Sequence, residues 1–172
     1  MSIASAALAS IALLGCAPEP EPTPTPTALF SSDEEAFAAA EATYRAYVDA
    51  LNEVDLSDPE TFEPVFDLST GDLNAANRET FSEMHANELI VTGDTEIVLL
   101  QPSGTQPDDF PSTVWLDACI DVSEIDVRQQ DGSSVVSPER TDIQAMRISV
   151  AQSGPRGVAE LAGRDDGASC SE

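Results

Sequence analysis

The sequence predicts an α+β fold, with N-terminal helices packed on one face of a curved antiparallel sheet, preceded by an apolar leader and a proline-rich tether. Three observations carry that expectation. Apolar residues recur at three- or four-residue steps between Phe37 and Val54, the period shifts to two from Ile90 onward, and prolines alternate with Glu or Thr between Ala17 and Thr27. With 172 residues there is material for one domain of ordinary size, assigned to residues 31–172.

The chain opens on Ser2 to Gly15, SIASAALASIALLG, apolar or small throughout and without acid or base. Such a run falls short of the ~20 residues a bilayer span takes, but it matches the apolar part of a secretory signal. It ends in Leu13-Leu14-Gly15-Cys16, which resembles the bacterial lipobox. The resemblance implies that residues 1–15 are a lipoprotein signal peptide and that Cys16 is the acylated first residue of the mature chain. One departure from the pattern is the absence of Lys or Arg ahead of the apolar run. Each buried methylene contributes roughly 0.8 kcal/mol, so two or three acyl chains would hold the protein effectively permanently at the extracytoplasmic face of the cell membrane. The membrane is then a partner through covalent lipid alone.

Residues 16–30 form the linker. Ala17 to Thr27, APEPEPTPTPT, lacks the donors for a helix or central strand; extended at about 3.1 Å per residue, it would lift the domain roughly 30 Å from the lipid.

Ser32-Asp33-Glu34-Glu35 offers a capping box, so a helix is predicted to start there. Phe37, Ala40, Tyr44, Tyr47, Leu51 and Val54 form its apolar stripe, over about six turns. Asp58-Pro59-Glu60 reads as a second, short helix start, through Phe62, Val65 and Phe66 and interrupted by Pro64. Gly71 breaks the chain, and Leu73, Asn77, Phe81, Met84 and Leu89 mark a third helix. Strands are then predicted at Thr95 to Leu100, at Thr113 to Val122 with Val114, Leu116, Ala118 and Ile120 on one face, and at Ile143 to Gln152. Gly157 to Leu161 supplies the last. Asp131-Gly132, between Ile125 to Arg128 and Val135-Val136, is a hairpin signal, and Gly104 to Pro111 reads as a polar loop.

This order of elements, together with DEEAFAAAEATYRAYVDAL, CIDVSEIDVRQQDG and a Cys near the C-terminus, resembles the actinobacterial lipoproteins that carry a nuclear transport factor 2-like (SnoaL-like) cone domain. The likeness covers about residues 31 to 170. It implies a cone-like half barrel, lined by helices, with a cavity between the long first helix, the third helix and the sheet. That fold hosts dehydratases and isomerases and also many domains without catalysis, so the likeness carries little function by itself.

Seven Lys and Arg stand against 32 Asp and Glu, a formal charge of -25, and every one of the cations is Arg. Nucleic acid and anionic lipid surfaces are therefore poor partners, and no nucleic acid is expected, since both demand clustered cations. With Cys16 committed to lipid, Cys119 and Cys170 remain; in an oxidising compartment the simplest outcome is a bridge between them. His85 is the only imidazole, which excludes a His-rich zinc site, and no G-x-S-x-G supports a serine nucleophile. The stretch Asp166-Gly167-Ala168-Ser169-Cys170 matches only the end of a calcium-binding repeat and reads as a turn, and Asp108-Asp109 reads as solvated charge. No catalytic, cofactor or metal residues are therefore assigned. Tyr44, His85 and Glu88 are the residues expected to border a cavity.

Two functions remain open from these residues. The first is a lipid-anchored, non-catalytic binding or interaction module outside the membrane. The alternative is an enzyme of the dehydratase or isomerase type, acting on a small apolar molecule through His85 and a nearby carboxylate.

Overall fold

A computed structural model describes residues 30, 32–105, 113–164 and 170. The apolar leader, Cys16, the proline-rich segment, Asp108-Asp109 and the Asp166 turn lie outside the described residues. No described helix is long and apolar enough to cross a membrane.

Helix α1 spans Asp33–Asn52, and the Ser32 hydroxyl accepts from the Glu35 amide at 3.2 Å as the capping box requires. Its buried face is turned slightly from the one expected: Ala36 and Val48 join Ala40, Tyr44 and Tyr47, while Phe37, Leu51 and Val54 sit at the margin of the core. The small Ala36 and Ala40 let the helix backbone approach the sheet, and the larger margins close over it. A 3-10 turn follows at Pro59–Phe62, capped by the Asp58 carboxylate, and then α2 at Glu63–Asp67. Pro64 does not interrupt a helix. It opens one, because a first-turn residue needs no amide donor.

Helix α3 spans Gly71–Ala86 and ends before Leu89, which lies beyond its C-terminal cap. Phe62, Phe66 and Phe81 meet as a cluster with centroids 5.2 to 6.3 Å apart, joining α2 to α3. Around them a polar network closes the α1–α3 contact. Asn77 donates to the Tyr47 hydroxyl at 3.2 Å and to Ser69 Oγ at 3.3 Å, while Asn74 donates to the Phe66 carbonyl at 2.6 Å.

The strands are β1 (Ile90–Thr92), β2 (Glu96–Thr105), β3 (Thr113–Asp121), β4 (Asp126–Arg128), β5 (Ile143–Ala151) and β6 (Gly157–Gly163). They form two antiparallel sheets rather than one: a main sheet in the order β2-β3-β5-β6 and a small ribbon β1-β4. In the main sheet Val114, Leu116, Ala118, Ile148, Val150 and Val158 face α1 and are buried. Strand β2 runs five residues past the expected end, through Pro102 and Gly104. At an edge strand a proline costs no ladder bond if its nitrogen faces outward, and the register shifts directly after Pro102, before Gly104. The expected hairpin turn at Asp131-Gly132 is present, with Gly132 at φ +84 and the Val135 amide bonded to the Val127 carbonyl at 2.8 Å. The main ladder partner of β4, however, is β1.

The outer face of the main sheet carries the second half of the fold. Asp117 receives Arg147 at 3.0 Å and Arg164 at 2.7 Å, and Cys119, two residues on, is bonded to Cys170 with Cα atoms 5.6 Å apart. The pairing expected from the cysteine count is thus in place, and it ties the end of the chain to the Trp115 face of β3.

Candidate functional site

Where α1 and α3 both end, a two-lobed cleft opens beside strand β1 of the small ribbon. The outer lobe, about 640 Å³, has an apolar floor of Val54, Leu56, Leu89 and Val91 and a rim of Asp55, His85, Glu88 and Gln130. An inner lobe of about 310 Å³ shares Val54, Leu56 and Val91 and reaches Phe81, Met84 and Ile125. The cone resemblance implied a cavity between the long first helix, the third helix and the sheet; the cleft lies instead between the ends of the two helices and the β1 strand of the small ribbon.

Each wall is fixed by local chemistry. Beyond α1 the chain turns at Asp55, whose Oδ1 accepts from both the amide and the hydroxyl of Ser57 at 2.8 Å; these two bonds hold the carboxyl below the usual carboxylate range. Thr61 locks the same turn, accepting from the Asp55 amide at 3.0 Å and donating to the Asp58 carbonyl at 2.7 Å. Asn52, at the end of α1, clamps the start of β2: its amide accepts from the Thr95 N–H at 2.9 Å and donates to the Thr95 carbonyl at 3.0 Å.

The opposite wall is the C-terminus of α3. His85 Nδ1 lies 2.6 Å from the Leu56 carbonyl, which joins the two walls directly. A carbonyl only accepts, so Nδ1 carries a proton, and the tautomer this selects has its lone pair on Nε2. The Glu88 and Leu89 amides then donate to the His85 and Met84 carbonyls at 2.9 and 3.0 Å, a Schellman termination. Its left-handed position is held by Glu88 at φ +53, a place that favours glycine. Gln130, at the hairpin tip, donates to the Glu88 carbonyl at 2.9 Å and holds the ribbon over the cleft.

Two of the three expected cavity residues therefore meet here: His85 and Glu88 share the outer lobe. Tyr44 does not. It is 2% exposed in the core face of α1, and burial, with Tyr47 beside it, pushes its hydroxyl up to about 12. The helical stripe was the right signal for burial and the wrong one for the cleft, because the cleft opens below the last turn of α1 rather than along its middle. Asp55, Asn52 and Gln130 escaped sequence reading. The Asp-x-Ser step at Asp55 was the one signal that marked a built turn. Among the described residues no three His, Cys, Asp or Glu side chains converge as a metal site.

No family model matches the sequence, and no curated protein matches it. Among solved structures, the intermembrane space region of the chloroplast protein ARC6 is similar at a TM-score of 0.52 and 13% identity, over 73% of this chain and 94% of that one. That likeness shows a shared fold and nothing of function. Two looser neighbours are an NTF2-like protein from Exiguobacterium (TM-score 0.35, 14% identity, 72% of this chain and 98% of that one) and a de novo β-sheet design (TM-score 0.30, 14% identity, 76% and 85%). At those scores neither carries an argument.

Proposed function

We propose that this chain is a lipid-anchored envelope protein on the extracytoplasmic face of the cell membrane, one of the actinobacterial-type lipoproteins with a nuclear transport factor 2-like cone domain. Its folded part acts as a non-catalytic binding or interaction module through the two-lobed cleft. The observation that carries the export half is the Cys119–Cys170 bridge, since disulfides form and persist outside reducing compartments. It leaves Cys16, behind Leu13-Leu14-Gly15, as the one thiol for acylation. The binding half is supported by an apolar floor with a few polar groups at its rim, the usual make-up of a small-molecule site. Metabolic labelling with a palmitate analogue tests the anchor: label is expected on the wild type and lost in Cys16→Ser, and an unlabelled wild type that fractionates as soluble protein overturns it.

A second reading has one observation in its favour. His85 and Glu88 share the cleft, and the tautomer fixed by Leu56 leaves Nε2 basic, as a dehydratase or isomerase would use it. A ligand recovered chemically unchanged after long incubation supports the module. Turnover that is lost in His85→Gln, while binding persists, establishes the enzyme instead.

A further inference from the structure

The cleft reading can be taken to a ligand class, and the inference rests on that reading. Both lobes carry carboxylates, Asp55 and Glu88 in the outer and Asp94 in the inner, and neither lobe is lined by an arginine. The nearest basic residue on the ribbon, Arg128, is turned to its own strand, pairing with Asp126 at 2.7 Å and donating to the Gly132 carbonyl at 3.2 Å. His85 directs its Nδ1 proton to the Leu56 carbonyl rather than to the carboxylates of the cleft. Asp55 spends one oxygen on Ser57. The Glu88 carboxylate has no hydrogen-bond or ion-pair partner among the described residues, and its backbone holds it on the rim beside Leu89. The result is an apolar floor with a rim of three carboxylates and no arginine.

We infer that the cleft takes a small amphiphilic cation, its ammonium group on the Glu88 carboxylate and its apolar body over Leu56, Leu89 and Val91. The outer lobe alone falls in the range of roughly 300 to 1,000 Å³ typical of small-molecule sites. The low-dielectric floor strengthens the charge contact relative to any carboxylate on the open surface. A bare cation, without a tail, gains only the diffuse field of the acidic surface, and an anion of the same shape is repelled.

The test uses the full chain with its disulfide intact and three probes of one tail length: hexylammonium, hexanol and hexanoate. Binding is read from NMR amide shifts at Leu89, Ile90 and Val91. Hexylammonium is expected to bind tightest and hexanoate weakest. Glu88→Gln should weaken hexylammonium by about fivefold while leaving hexanol unchanged. Glu79→Gln, on the exposed face of α3 and away from the cleft, removes the same unit of charge and should change neither. Equal affinity for hexylammonium and hexanol, or equal losses in Glu88→Gln and Glu79→Gln, overturns the cation preference and leaves the cleft as a neutral apolar site. If no probe moves the cleft amides, the binding-site reading itself falls.

Discussion

Replacing Glu88 by glycine should make the protein more stable. Glu88 sits at the position after the α3 cap with φ +53, held there by the amide bonds to His85 and Met84. For an L side chain the left-handed conformation costs roughly 1–2 kcal/mol, because Cβ crowds the following carbonyl. Glycine removes that cost but loses more freedom on folding, roughly 0.5–1 kcal/mol, so the net gain is about 0.5–1 kcal/mol. With an m-value of about 2 kcal/mol/M, the urea midpoint should rise by roughly 0.3–0.5 M at unchanged slope. Glu88→Ala is the control: it deletes the same carboxylate but keeps Cβ, and it should stay within about 0.3 kcal/mol of wild type. Should the glycine variant prove no more stable than the alanine variant, the left-handed cost is not there and the reasoning fails. The gain has a functional counterpart, since the more stable variant lacks the carboxylate that the cleft presents.

Other expectations follow from single contacts. Cys170→Ser releases a closure of 51 residues and should cost up to about 4 kcal/mol, read as a lower denaturant midpoint; an unchanged midpoint would mean that the C-terminal tie does not stabilise the native state. Gly93→Ala should cost more than about 2 kcal/mol, because a Cβ at φ +84 would overlap the Glu124 carbonyl where the ribbon leaves β1. Gly132→Ala has the same φ in open space and should cost about 1 kcal/mol, so similar losses at the two sites would contradict this account. Alkaline pH should destabilise the fold through Tyr44 and Tyr47, both raised chiefly by burial. A raised folded pKa means that the native state binds more protons than the unfolded chain above pH 10. Stability is then whole below about pH 10 and falls as pH approaches 12, by at most about 3 kcal/mol for Tyr44. Absorbance titration that finds both tyrosines ionising together near 10 would refute it.

Where the sequence was legible, a single periodicity decided the matter. Strand β3 shows this: Val114, Leu116 and Ala118 alternate with Trp115, Asp117 and Cys119, and the structure buries the first set against α1 while Trp115 and Asp117 stay partly exposed on the other face and Cys119 is buried at its bridge to Cys170. The capping box at Ser32 placed the start of α1 for the same reason, a local hydrogen bond written in adjacent residues. Two sheets in place of one could not be read, because Ile90–Thr92 pairs with Asp126–Arg128 across more than thirty residues, and three-residue strands carry too little pattern to choose a partner. The site was half legible. His85 lies on the last turn of a helix whose position was clear, and Glu88 just past its cap, whereas Tyr44 was drawn in by its place on a stripe that points at the core. Glu88 itself breaks a local rule, a glutamate at a glycine position, and rule-breaking of this kind is where functional demand shows.

The distribution of the few cations sharpens the same point. Six of the seven arginines are committed within the fold: Arg45 to Glu41, Arg128 to Asp126, Arg147 and Arg164 to Asp117, Arg78 over the Phe66 ring at 4.0 Å, and Arg140 to the Val122 and Ile125 carbonyls. Exposed pairs of this kind contribute little to stability. Their effect is to fix where positive charge sits: two of the six neutralise one half-buried aspartate on the outer sheet face, and none reaches the cleft. In a chain of charge -25, the carboxylates of the cleft are left without an arginine beside them. A cation entering between α1 and α3 takes that place, which is why the acidic composition, uninformative about fold, becomes informative about the occupant once the arginines have been placed.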